Sequence, residues 1–108
     1  MQNYKVYLRD ILEAINNIEK SLQGLSKEEF KKNIDKIDAT IMRVQVIGES
    51  IKKLPREFRN KYKNVEWDRI AKARDIISHS YFKVNLDIIW DLIKNKLQEL
   101  KEAINKTL

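Results

Sequence analysis

One stretch of the chain brings together residue types that can do chemistry. It is Arg74-Asp75-Ile76-Ile77-Ser78-His79-Ser80-Tyr81, and it holds the only histidine of the 108 residues. Histidine is the side chain best suited to give or take a proton near neutral pH. Arginine is permanently charged and presents a planar fork that fits a phosphate. RNA carries its own nucleophile, the 2′-hydroxyl. A base for that proton, an acid for the leaving oxygen and a cation over the phosphate therefore suffice to cut it. Asp75, four positions before His79, is spaced to orient the imidazole, and Ser78 adds a further polar group beside it. A metal site is hard to build here, because one histidine and no cysteine leave only scattered carboxylates as ligands. The expectation is no metal and no cofactor. The competing reading makes His79 a helix C-terminal residue that favours the dipole and bonds free carbonyls.

Spacing limits what one copy of this stretch can do. An α-helix turns about 100° per residue. Arg74, Ser78 and Tyr81 then share one face, and Asp75 and His79 share a neighbouring one. Arg74 and His79, five apart, diverge by about 140° around a straight helix. Either the helix loosens near His79, or two copies meet across a two-fold axis that gathers two arginines and two histidines in one cleft. The second route is the one expected, and it implies a homodimer, with a higher oligomer left open.

The elements that must position this stretch are helical. A first helix is expected over about Asn3 to Gln23, with Leu8, Ile11, Leu12, Ile15, Ile18 and Leu22 on one face and Gly24 as its stop. Ser26-Lys27-Glu28-Glu29 reads as a capping box. The second helix it opens carries Phe30, Ile34, Ile37, Ile41, Val44, Ile47, Ile51 and Leu54 on one face, with a break or bend near its start. Gly48 inside it suits a close approach by a neighbouring helix. Leu54-Pro55 ends it. A connector follows from Pro55 to Val65, with room for one helical turn over Arg56–Arg59. The third helix starts near Glu66 or Trp67, runs into the motif and is expected to fray near Ser80, with a turn at Phe82-Lys83-Val84. Asn85 caps a last helix striped by Leu86, Ile89, Trp90, Ile93, Leu97, Leu100 and Ile104. Both tryptophans are expected in the core. The fold class is all-α: one domain over residues 1–108, an antiparallel up-and-down bundle of four main helices.

Charge adds an approach to the motif. Nine basic residues lie between Lys52 and Arg74, namely Lys52, Lys53, Arg56, Arg59, Lys61, Lys63, Arg69, Lys72 and Arg74, against three acidic ones, Glu57, Glu66 and Asp68. That excess of six equals the net charge of the whole chain. A basic span leading into a reactive stretch suits a polyanion such as RNA, and a solvated surface is the alternative. No apolar run approaches the ~20 residues of a membrane-spanning helix. The N-terminus has no uninterrupted apolar signal segment. A cytoplasmic protein without membrane association is expected.

RDIISHSY fits the R-x-x-x-x-H-x-Y pattern of HEPN domains, and the chain resembles their HepT-like branch, which pairs with minimal nucleotidyltransferases. Ile47-Gly48-Glu49, Leu54-Pro55, Trp67, Tyr81-Phe82 and Trp90 extend the resemblance over nearly the whole chain. The resemblance implies an all-α dimer with the two motifs facing each other. It also implies a metal-independent endoribonuclease, the toxin of a toxin–antitoxin pair, with tRNA among the candidate targets. Arg74 and His79 become the catalytic pair, Asp75 and Ser78 supporting residues, and Tyr81 the site at which the partner nucleotidyltransferase antitoxin adds AMP. Asp75 departs from the asparagine frequent at its position, which bears on catalytic rate more than on fold. The rival is a non-catalytic helical subunit that docks a nucleotidyltransferase and binds nucleotide or RNA.

Overall fold

A computed structural model describes residues 3–79 and 85–108, the side chains of residues 74–79 excepted. The order of elements follows from local stop and start signals. Helix α1 (Lys5–Leu22) ends where Gly24 takes φ +79°, a conformation that costs glycine nothing. Helix α2 (Lys27–Lys32) opens on the capping box: the Ser26 amide donates to Glu29 Oε1 at 2.9 Å, and the Glu29 amide donates to Ser26 Oγ at 3.1 Å. The bonds from Ser26 hold the Glu29 carboxyl below the usual glutamate value. The chain then breaks at Asn33, whose Oδ1 accepts from the Lys36 amide at 3.1 Å and caps α3 (Ile34–Lys52). Pro55 precedes α4 (Arg56–Lys61), a longer piece than the single turn expected there. Helix α5 (Trp67–His79) carries the motif as far as the histidine. Asn85 Oδ1 accepts from the amides of Asp87 at 3.0 Å and Ile88 at 3.2 Å and so caps α6 (Leu86–Asp91). A π-helical turn (Leu92–Lys96) joins α6 to α7 (Leu97–Thr107).

Every regular element among the described residues is helical, and together they form the expected bundle. Helix α3 packs against both α1 and α5, and α7 packs against α1. Leu8, Ile11, Ile15, Ile18 and Leu22 of α1 meet Val44, Ile47 and Ile51 of α3, Ile70 of α5, and Leu97, Leu100 and Ile104 of α7 in one buried cluster. Gly48 is buried within α3. The α1–α7 seam is closed at its surface by Glu19. Its carboxylate accepts from Lys101 Nζ at 2.6 Å and Gln98 Nε2 at 2.9 Å. Burial pushes the Glu19 carboxyl up, but the bonds from Lys101 and Gln98 outweigh it and the net shift is downward.

Three positions differ from the stripe pattern. The break expected near the start of the second helix falls at Asn33, but Ile34, expected on the same buried face as Phe30, is 71% exposed. The reason is Asn33: its extended backbone resets the helix phase, so Phe30 points inward while Ile34 becomes the first residue of a new helix. Trp90 is only partly buried; it lies 5.3 Å from the Phe30 ring, with Lys94 Nζ 4.7 Å from its own centroid. The π turn was not anticipated. Its i→i+5 bonding, seen in the Leu97 amide donating to the Leu92 carbonyl, brings residues five apart onto one side. Leu92, Ile93 and Leu97 can therefore all be buried. The expected fraying near Ser80 and the turn at residues 82–84 lie outside the described residues.

Candidate active site and its approach

Helix α5 is the element that sets the motif, and its start is fixed from two directions. Trp67 is 7% exposed, and its Nε1–H is shared between the carbonyls of Arg59 at 3.0 Å and Tyr62 at 3.1 Å. Its ring meets Phe58 edge-on at 5.8 Å. One side chain thus ties the basic connector to the first residue of α5. From the other direction, Lys96 of the π turn reaches Glu66 Oε2 at 2.6 Å, and Arg69 bridges Glu66 at 3.6 Å and Asp91 at 3.8 Å. The hydrogen bond from Lys96 leads the causes that hold the Glu66 carboxyl below the usual value. These side chains are between a quarter and about half exposed, so each pair is a modest contribution, but the pairs are linked and lie at the start of the helix.

The described part of α5 also fixes its rotation. Trp67, Ile70, Ala71 and Ala73 are buried, while Asp68, Arg69 and Lys72 are exposed. Along the helix, Arg74 stands four positions after Ile70 and seven after Trp67, and His79 stands seven after Lys72. The helix remains regular through His79, so the divergence of about 140° between Arg74 and His79 persists. The side chains of Arg74, Asp75, Ser78 and His79, and all of Tyr81, lie outside the described residues.

The basic span is mostly at the surface. Lys52 and Lys53 close α3, Arg56 and Lys61 lie on α4, Lys63 follows it, and Arg69 and Lys72 are on α5; all are exposed. Lys53 Nζ lies 5.4 Å from the Tyr7 ring. Arg59 differs: it is half buried, and its Nε is enclosed without a hydrogen-bond partner. Its main contribution visible here is the carbonyl that accepts from Trp67. In the first turn of α6, Asp87 accepts from Lys31 at 3.2 Å and pairs with Lys27 at 3.3 Å, contacts that hold its carboxyl below the usual value. Among the described residues no three His, Cys, Asp or Glu side chains group as metal ligands, and no helix is long and apolar enough to cross a membrane.

The sequence reading missed the linked contacts of Glu66, Arg69, Asp91 and Lys96. Only Glu66 and Arg69, three apart, were visible as a pair; the partners from the last helix depend on the π turn. It also missed a cleft of about 350 Å³ beside α5, lined by Arg69, Lys72, Ala73, Ile88 and Leu92.

Comparison with known proteins gives a consistent result. A family model described as "Ribonuclease HepT-like" matches residues 11–107. A protein of Caldanaerobacter subterraneus named "Putative RNase" is 36% identical over 108 residues, covering 100% of this chain and 96% of the relative. A "Probable ribonuclease HepT" of Thermococcus cleftensis is 31% identical, covering 97% and 96%. A Methanocaldococcus jannaschii protein named "Gamma-glutamylcyclotransferase and putative RNase" is 39% identical over 99% of this chain, which spans 48% of that larger protein. No solved structure matches the chain.

Proposed function

Because the chain belongs to the HepT-like ribonuclease family, we propose that it is a metal-independent endoribonuclease whose site is assembled from two copies of the α5 motif. The observation that carries the reading is the coincidence of a family match over residues 11–107 with an R-x-x-x-x-H-x-Y motif whose Arg74 to His79 lie on α5. In the reaction, the 2′-hydroxyl attacks the adjacent phosphorus and the bond to the 5′ oxygen breaks. The 2′-hydroxyl proton must go to a base, and the departing oxygen must receive one from an acid. One imidazole cannot hold both protonation states at once, and each chain has a single histidine. Two chains supply His79 twice, once neutral and once protonated. Arg74 carries the charge that develops on the phosphate. Asp75 and Ser78 support the pair. The exposed cations Lys52, Lys53, Arg56, Lys61, Lys63, Arg69 and Lys72 draw the RNA toward it.

The same reading makes the protein the toxin of a toxin–antitoxin pair. A minimal nucleotidyltransferase partner would add AMP to Tyr81, seven positions after Arg74 in the chain, and the added negative charge and bulk would keep RNA out. A cytoplasmic location fits an RNA substrate such as tRNA. The test is cleavage of RNA by purified protein in excess chelator. Wild type should cut. His79→Ala and Arg74→Ala should each lose about 10²–10⁴ in rate. Activity surviving both substitutions would sink the assignment, and a wild type that binds RNA without cutting it would favour the non-catalytic subunit.

A further inference from the structure

The cleft beside α5 is not explained by the reaction just described. Its two walls are Arg69, Lys72 and Ala73 on α5, and Ile88 on α6 with Leu92 at the start of the π turn. At about 350 Å³ it falls at the small end of the range for small-molecule sites. Its floor is apolar, with Leu92 and Ala73 buried, and Ile88 at its edge is 51% exposed. Its mouth is cationic. Arg69 shares its charge with Glu66 and Asp91, whereas Lys72 has no ion pair among the described residues. An apolar floor under a cationic mouth suits a ligand that is flat and apolar on its faces and anionic at one edge. A nucleotide of single-stranded RNA has that character: its base can leave the stack to lie on apolar or guanidinium surface while its phosphate meets a cation.

We propose that this cleft holds one unpaired base of the RNA substrate, with Ile88 and Leu92 under the base, the Arg69 guanidinium against it and Lys72 on the adjoining phosphate. The inference rests on the ribonuclease reading above. Its position supports it: Lys72 and His79 are seven residues apart on one side of α5, about 10 Å along the axis at 1.5 Å per residue. A strand whose base sits in the cleft would therefore pass His79 within a short distance of the same strand. The site favours looped or single-stranded RNA, because a base held in a duplex cannot enter it. Lys72 contributes affinity and Ile88 contributes the requirement for a base.

The experiment uses a fluorescein-labelled single-stranded RNA, selected from a random-sequence pool as one that the full-length protein cleaves at a single bond. Each base in turn is replaced by an abasic ribose, and KM and kcat are measured for wild type and Ile88→Asp. Wild type should show one position, near the cut, where base removal raises KM about tenfold. Ile88→Asp should raise KM on the intact RNA by a similar factor, keep kcat, and be indifferent to the abasic change at that position. Circular dichroism establishes that the variant is folded, and a half-exposed side chain makes that outcome expected. Lys72→Ala should lower the dependence of log KM on log salt by about one unit while keeping the abasic penalty. An abasic penalty equal in wild type and Ile88→Asp, or none at any position, overturns the cleft assignment while leaving the nuclease intact. Failure of every RNA in the pool to be cut overturns the nuclease reading itself.

Discussion

Trp67 is the side chain on which the placement of α5 most depends, and replacing it with phenylalanine tests that directly. The substitution keeps an aromatic ring against Phe58 but removes the Nε1–H shared by the Arg59 and Tyr62 carbonyls at 3.0 and 3.1 Å. A shared donor counts as one bond, with a net value of about 1 kcal/mol. The two carbonyls belong to half-buried residues, so water repairs part of the loss. The smaller ring leaves a gap at a position that is 7% exposed, adding roughly another 1 kcal/mol. The expected loss is about 2 kcal/mol, or about 10 °C in thermal midpoint for a domain of this size. Urea titration at fixed protein concentration, with Trp67→Ala beside it, separates the parts. Alanine should cost about 3–5 kcal/mol, since it adds the full cavity. A Trp67→Phe change within about 0.5 kcal/mol of wild type, the range of an ordinary surface substitution, would refute the idea that this N–H holds the connector to α5.

Other outcomes follow from the same structure. Glu19, Glu29, Glu66 and Asp87 are all held below their ordinary values by bonds that need the charged form. Between the folded and unfolded values the unfolded chain binds more protons, so stability rises with pH across that window. The thermal midpoint should be level above about pH 5 and fall as acid takes the glutamates below about pH 4.3; a level midpoint down to pH 3 would contradict these contacts. Gly24→Ala should cost about 1–2 kcal/mol in urea titration, because φ is +79° while nothing lies within 4 Å of an added Cβ. Gly24→Asn should cost less, since asparagine tolerates the left-handed region.

Signals confined to a few adjacent residues were legible in the sequence. The Ser26–Glu29 box, the Gly24 stop and the Asn85 cap depend on local bonding, and each forms as read. The break near the start of the second helix was legible, but the face of Ile34 was not, because Asn33 caps a new helix and resets the phase of the stripe. The π turn has no local signature of that kind. It is favoured by the tertiary burial of Leu92, Ile93 and Leu97 together, which only the assembled bundle provides. What depends on that turn was equally hidden: the Lys96–Glu66 and Arg69–Asp91 pairs join elements more than twenty positions apart. The motif itself was legible as a pattern of types, and its α-helical backbone through His79 agrees with the reading.

The register of α5 also bears on why the proposed site needs two chains. Arg74 and His79 are five apart on a helix that is regular through His79, about 140° around its axis. A helix cannot rotate one of these positions toward a shared phosphate without rotating the other away. Unwinding its last turn would give up backbone bonds that the regular helix retains through His79. A second α5 across a two-fold axis has no such conflict, because its histidine and the first chain's arginine are carried by different helices. The consequence is measurable. His79→Ala protein, inactive alone, should poison wild type when the two are co-refolded, because a mixed pair has one histidine where the reaction uses two. Loss of activity beyond simple dilution in the co-refolded mixture, absent when the two are merely combined without subunit exchange, supports a composite site, and loss by dilution alone would refute it. Full activity of a covalently enforced monomer would leave the pair to a single chain.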